Sequence, residues 1–280
     1  MTDKQSILDA FRGARPPRGS IVGAGAGTGI SAKSAIDGGA DFVVVYNSGK
    51  YRMAGRGSLA GLLPYGDANG IVLDMAAEVI PVSAKPVFAG VNGTDPFRSI
   101  PRFLRQVKDA GYQGVQNFPT VGVWDGIFRE NLEATGMGYG LEVDMIRAAN
   151  EAGLVTAPYA FTVEETEAMV ADGHADILVT HLGLTSGGSV GAGAVLPLDA
   201  AVQQSQAMLD AARRIDPDVI VLAHGGPIAT SEDWQYVFDR TEGFDGFLGA
   251  SSMERLPVER GIAGAVRGFK DVARSTGTRS

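Results

Sequence analysis

Apolar residues in this chain come in short runs, each closed by small or polar residues and followed by a segment of helix-compatible composition. The runs are Ile21-Val-Gly-Ala-Gly-Ala-Gly27, Phe42-Val-Val-Val-Tyr46, Pro86-Val-Phe-Ala-Gly-Val-Asn92, Gly114-Val-Gln-Asn-Phe118, Val155-Thr-Ala-Pro-Tyr-Ala-Phe161, Ala175-Asp-Ile-Leu-Val-Thr-His181, Val219-Ile-Val-Leu-Ala-His224 and Gly246-Phe-Leu-Gly249. Continuous apolar character marks strands buried on both faces, as in a parallel sheet covered by helices. Strict alternation of eight strand–helix units predicts an α/β fold, a single closed (β/α)8 barrel. The barrel is expected over 21–272, with an N-terminal extension of 1–20, a tail of 273–280, and long loops after the second, fourth and sixth strands.

Local punctuation agrees with this reading. Gly38-Gly39 reads as the C-terminal cap of the first helix, and Thr162 with Glu165 as a capping box. An internal repeat is also visible. Asp41 aligns with Asp176, Val87–Gly93 with Val219–Gly225, and Gly111–Gly114 with Gly243–Gly246, at offsets of 132 to 135 positions. That spacing corresponds to half of the units, so the barrel reads as two half-barrels, with Asn92 placed over His224.

Composition narrows the functional classes. A formal charge of −8 argues against nucleic acid as the main partner, because phosphate binding wants a basic face. The chain has no cysteine, which removes disulfides, thiolate nucleophiles and Cys-based metal sites. No apolar run approaches the roughly 20 residues that span a bilayer, and the charged start of the chain lacks the apolar core of a signal peptide. A cytoplasmic protein with no membrane partner is the default expectation, and a homo-oligomer the default assembly.

In a barrel of this kind the chemistry gathers at the C-terminal ends of the strands. His181 and His224 fall there on adjacent strands, in a chain with only three histidines, and read as acid–base groups or ligands. Tyr159 and Glu254 join them as candidate catalytic residues; Glu254 could equally start the last loop or pair with Arg255. Gly225-Gly226 and Gly249-Ala-Ser251-Ser252 would leave backbone N–H groups facing an anion. Gly25 would form a floor where substrate meets bare backbone, and Asn47, Asn92 and Asn117 would add hydrogen bonds. Arg52 or Arg56, in the long loop from Asn47 to Asn69, could clamp a carboxylate or phosphate. Asp95, before Pro96, reads as a helix N-cap, and His174 as a surface residue.

Other chemistries fail on detail. Gly23–Gly29 is one residue short of a G-x-G-x-x-G fingerprint, so no nucleotide cofactor is expected. No lysine lies within a predicted strand, which disfavours a Schiff-base aldolase, and Ser251-Ser252 lack the G-x-S-x-G elbow. A metal such as Zn²⁺ could use the two histidines, although the usual third is absent.

The stretches Gly25–Lys33, Met53–Asn69, Gly114–Gly122, His224-Gly-Gly-Pro-Ile228 and Gly249-Ala-Ser-Ser-Met-Glu-Arg-Leu-Pro257 resemble the phosphoenolpyruvate hydrolase-like TIM-barrel family. This domain is similar to the C-terminal half of plant tobamovirus-resistance proteins and is related to the phosphoenolpyruvate/pyruvate barrel group. The resemblance implies a hydrolase or lyase that cleaves a C–P, P–O or C–C bond in a small oxo-acid anion such as phosphonopyruvate. It also implies Mg²⁺ held by acidic residues at strand ends, including an Asp-x-Asp that this chain lacks there. A retro-aldol or retro-Claisen enzyme acting on a 3-oxo acid, and a non-catalytic ligand-binding barrel, are the alternatives.

Overall fold

The ring of strands closes through a proline. In the computed structural model, which describes residues 3–272, the strands are β1 (Ile21–Ala26), β2 (Phe42–Val45), β3 (Val87–Val91), β4 (Gly114–Asn117), β5 (Val155–Thr156), β6 (Tyr159–Ala160), β7 (Ile177–His181), β8 (Ile220–His224) and β9 (Gly246–Gly249). They run parallel in the order β5-β4-β3-β2-β1-β9-β8-β7-β6. The two outermost, β5 and β6, are halves of one extended segment, so the sheet curls round to meet itself. Pro158 has no N–H and interrupts the ladder between them. On either side the chain still pairs: Ala157 N–H donates to Val115 O and Val179 N–H to Pro158 O, both at 2.9 Å. The run expected as one fifth strand is therefore two short ones, within an eight-unit barrel. The expected tail of 273–280 lies outside the described residues.

The helices are α1 (Lys4–Ala14), α2 (Gly29–Asp37), α3 (Asn47–Met53), α4 (Ala68–Val79), α5 (Ile100–Asp109), α6 (Gly126–Ala134), α7 (Gly140–Glu151), α8 (Val163–Ala171), α9 (Leu198–Ile215), α10 (Ser231–Phe238) and α11 (Arg255–Lys270). Two of them fall inside segments expected as loops. The stretch from Asn47 to Asn69 holds α3 and a 3₁₀ turn, Ser58–Leu62, and the stretch after β4 holds α6. Thr28 caps α2 and Thr162 caps α8 through their side chains. Asp95 does not cap α5: Ser99 occupies that N-cap, while Asp95 accepts from Phe97 N–H and from Asn69 and pairs with Arg98.

Side-chain alternation along the strands builds two cores. One face packs against the helices through Val43, Val45, Ala89, Val115, Leu178, Val221 and Ala223. The other fills the barrel with Phe42, Val44, Tyr46, Phe88, Tyr159, Val179, Leu222 and Leu248. Burying each large apolar side chain of this set stabilises the fold by roughly 1.5–3 kcal/mol. Glycine at interior positions makes room for the large residues: a Cβ on Gly23 would lie 2.3 Å from the Phe42 ring.

The N-terminal extension carries α1, whose Ile7, Leu8 and Phe11 join the interior core, with Phe11 5.5 Å from Phe42. Lys4 pairs with Asp176 at 2.8 Å and Arg15 with Asp245 at 3.0 Å. Those aspartates also account for part of the sequence repeat. Asp41, Asp176 and Asp245 each precede a strand and accept the N–H of Val22, Thr156 and Val221, near the start of the neighbouring strand. The Asp41/Asp176 match thus serves backbone satisfaction at the N-terminal end, away from the strand ends where chemistry gathers.

Candidate active site at the barrel mouth

Three rings meet where β6, β7 and β8 end. His181 and His224 are direct partners in the register of β7 and β8, and alternation along both strands turns their side chains into the barrel. Their ring centroids are 4.6 Å apart, and Tyr159 stands 4.8 Å from each. Phe161 closes on His181 at 4.5 Å, and Phe118 approaches Tyr159 at 6.3 Å. All three polar rings are buried.

The backbone assigns the two histidines opposite tautomers. Gly183 N–H donates to His181 Nδ1 at 3.0 Å, so the His181 proton sits on Nε2. His224 Nδ1 lies 2.7 Å from Leu248 O; a carbonyl only accepts, so His224 carries its proton on Nδ1 and presents Nε2 as a bare lone pair. Burial pushes the His181 pKa well below the usual imidazole range, and the neighbouring His224 adds to this. Burial also lowers His224, to about 4, outweighing the Leu248 contact that favours its charged form; the Arg52 charge acts with burial. Both rings are therefore neutral at pH 7, one a donor and one a base. Tyr159 is held un-ionised by burial, with Tyr46 beside it acting in the same direction, and its hydroxyl meets the geometry of no hydrogen bond among the described residues. An orphaned buried hydroxyl is costly, and at a strand-end cavity it marks a place for a ligand atom.

These groups line a cavity of about 40 Å³ together with Tyr46, Ser58, Leu59, Leu62, Phe118 and Ser251. Tyr46 continues the inward-facing set Phe42, Val44. Space for it is made by neighbouring strands: a Cβ on Gly25 would be 2.9 Å from the Tyr46 hydroxyl, and one on Gly90 would be 2.4 Å from Tyr46 Cβ. Tyr46, Ser58 and Thr185 were not among the residues singled out by sequence. The period-two alternation within Phe42–Tyr46 carried the signal for Tyr46; nothing in the sequence distinguishes Ser58 or Thr185 from ordinary loop hydroxyls.

The other candidate residues lie in different surroundings. Glu254 does not line the cavity; its carboxylate accepts from Gly27 N–H and Ser31 Oγ, each at 2.5 Å, and pairs with Arg52 at 3.1 Å. Arg52 is as buried as its partner and lies 5.2 Å from the Tyr46 ring, with Nε unpartnered among the described residues. Arg56 is exposed and donates to the carbonyls of Ala54 and Gly55. Asn47 donates to Gly61 O and accepts from Ser48 N–H, holding its own loop. Asn117 bridges Glu142 and the Tyr159 backbone, and so positions Tyr159 without facing the cavity.

Asn92 lines a separate rim cavity of about 640 Å³ with Asp67, Asp95 and Arg98. Gly225 and Gly226 adopt positive φ, and the Gly226 N–H is already donated to Gly183 O at 2.7 Å, so this pair closes a turn against the loop after β7. Gly25 and Gly249 admit Tyr46 and Met253 respectively. Ser251 faces the cavity, while Ser252 is half-buried outside its lining.

A divalent cation does not fit these residues. Mg²⁺ wants carboxylate and carbonyl oxygens, and no Asp or Glu lines the mouth cavity. Among the described residues, no group of three or more His, Asp or Glu side chains is placed to hold a metal. His181 presents an N–H rather than a lone pair, which leaves His224 as the one imidazole ready to ligate. No described helix is long and apolar enough to cross a membrane.

Comparison with known proteins places this geometry in context. A family model described as phosphoenolpyruvate hydrolase-like matches residues 6–272. The tomato (Solanum lycopersicum) ToMV resistance protein Tm-1(GCR237) is 57% identical over 270 residues, covering 96% of this chain and 35% of that protein. The chain thus spans about a third of the length of the tomato relatives it matches. In structure it is similar to the phosphoenolpyruvate phosphomutase of Streptomyces platensis subsp. rosaceus, with a TM-score of 0.60 at 16% identity, covering 96% of this chain and 86% of that one. A phosphonopyruvate hydrolase in complex with oxalate and Mg²⁺ gives a TM-score of 0.57 at 14% identity, covering 96% and 85%. At these identities the structural likeness is one of fold.

Proposed function

The chain belongs to the phosphoenolpyruvate hydrolase-like family, and from that premise we propose that it is an enzyme that cleaves a C–P, P–O or C–C bond in a small oxo-acid anion. These three cleavages share one task. Water adds to phosphorus or to an acyl carbon, and the other fragment departs as an enolate. His224 Nε2 takes the proton from the attacking water. As the new O–P or O–C bond forms, the old bond breaks and its electron pair passes into the departing enolate. The imidazolium of His224 then returns the proton to that fragment. His181 Nε2–H and the Tyr159 hydroxyl donate to the oxygen on which negative charge develops.

The observation that carries this reading is the opposed tautomers of His181 and His224 beside the unpartnered Tyr159 hydroxyl. The test is a screen of phosphonopyruvate, phosphoenolpyruvate and 3-oxo acids, followed by His224→Ala and His181→Ala on whichever turns over. Loss of His224 should lower kcat by about 10²–10⁴-fold. Unchanged turnover in both variants would remove the assignment, and tight binding without product over long incubation would mark a ligand-binding barrel.

One observation favours C–C cleavage among the three. The cavity wall carries no charged side chain, so a phosphonate dianion has no counter-charge there, whereas a 3-oxo acid brings a single carboxylate. Release of two carboxylic acids, rather than inorganic phosphate, is the signature of that retro-Claisen route.

A further inference from the structure

The mouth cavity is tight, with the rings of Tyr46, Phe118, Tyr159, His181 and His224 in its walls. Its volume is about 40 Å³. A second cavity of about 210 Å³ lies against it. Ser58, Leu59, Leu184, Thr185 and Ser251 belong to the walls of both. The hydroxyls of Ser58 and Ser251 come within 3.4 Å of each other, bringing together the loops after β2 and β9 where the two spaces adjoin.

The outer chamber offers no free charge. Its one charged wall residue, Arg255, is buried and committed to Glu259 at 3.1 Å and to Gly187 O at 3.0 Å. The remaining wall is the glycine backbone of Gly57 and Gly191, the shared hydroxyls, and the aliphatic groups of Leu59, Leu184, Val190 and Ala192. Such a surface accepts an uncharged chain, while a second carboxylate buried there would lack a partner.

Resting on the reading of the mouth as an oxo-acid site, we propose that the substrate spans both compartments. The reacting carbonyl sits between His181, His224 and Tyr159, and an uncharged acyl tail passes beside the Ser58–Ser251 contact into the outer chamber. The substrate class is thus an oxo acid extended by an aliphatic or hydroxylated chain, and a three-carbon acid fills only the inner part.

Calorimetric titration of the full chain with straight-chain 2-oxo acids, from pyruvate to 2-oxooctanoate, tests this. Kd should fall about three- to fourfold per added methylene before levelling off. 2-Oxoglutarate should bind at least tenfold more weakly than 2-oxovalerate, which has the same number of carbons. Ala192→Phe should erase the gain with length and leave the pyruvate Kd unchanged. A wild-type Kd indifferent to length, or 2-oxoglutarate binding as well as 2-oxovalerate, overturns the chamber assignment while leaving the mouth reading intact. So does a length dependence that Ala192→Phe fails to alter. Absence of binding at every length overturns the tail assignment, and turnover of 3-oxo acids in the screen above then decides the mouth reading separately.

Discussion

His181 and His224 are partners in the parallel register of β7 and β8, and their rings, 4.6 Å apart, carry their protons on opposite nitrogens. Two imidazoles this close in a buried site cannot both be charged without strong repulsion, so the neutral pair is the working state. With His224 depressed to about 4, the base is present above that pH and lost as pH falls through it. The expected kcat/KM profile is a plateau across neutral pH with an acid limb near 4. A limb near the ordinary imidazole value would show that His224 is not the titrating base.

Arg52 and Glu254 form a second pair, at 3.1 Å with each side chain 1% exposed. Their link ties α3 to the segment leading into α11, and Glu254 also holds the turn after β1 through Gly27 and Ser31. Glu254→Ala would strand a buried guanidinium and should cost about 3–5 kcal/mol. The double replacement Arg52→Met with Glu254→Leu removes both charges and should cost much less than the single change. Urea denaturation of the two variants compares them, and equal losses would mean the pair acts through packing alone.

The architecture was readable because its cause is local: eight apolar runs, each broken by small residues, admit few other arrangements. The closure at Pro158 was readable only as a residue, since whether a proline ends a strand or merely splits it depends on the strands beside it. The site was legible in part for a similar reason. His181 and His224 stand at strand ends whose inward parity follows from Ile177, Val179, Ile220 and Leu222. The destinations of Arg52, Glu254 and Asn117 were not legible, because their partners lie 202 and 25 positions away in sequence and are chosen by packing.

Gly90 tests how tightly the mouth is built. A methyl group there would sit 2.4 Å from Tyr46 Cβ and 3.0 Å from Phe118 O, contacts that no rotamer of Tyr46 can relieve. Gly90→Ala should destabilise by roughly 1–3 kcal/mol and also lower activity by displacing Tyr46. Gly264→Ala in α11, where nothing lies within 4 Å of the new methyl, should instead stabilise by about 0.5–1 kcal/mol. Thermal melts of both variants provide the check, and matching shifts would refute the steric account.

Glu142 couples the mouth to pH through stability. Its carboxylate is fully buried beneath the loop after β4, accepting from Asn117 Nδ2 at 2.6 Å and Val121 N–H at 2.7 Å. Burial raises its pKa to about 8, against the hydrogen bonds that favour the charged form. The folded state therefore holds a proton that the unfolded chain releases at ordinary carboxyl values near 4.5. Stability from this group is fully present below that value and drains away as pH rises towards 8. Glu142→Gln cannot titrate, but its NH2 would face one of the two N–H donors, where the hydroxyl oxygen of the protonated acid can still accept, so it should be less stable by about 1–3 kcal/mol at low pH. The gap between wild type and variant should then narrow as pH climbs from about 5 to 8. His224 acts with the opposite sign, adding stability between about 4 and 6.5, and it is common to both proteins, so the difference isolates Glu142. Val121 begins the short turn whose Val123 lines the cavity. Hydrogen exchange at the Val121 amide should therefore quicken between about pH 5 and 8 in the wild type by more than its intrinsic pH dependence, and only by that dependence above 8. If the stability gap holds constant with pH, Glu142 is ionised throughout and the loop has no proton-linked weakness.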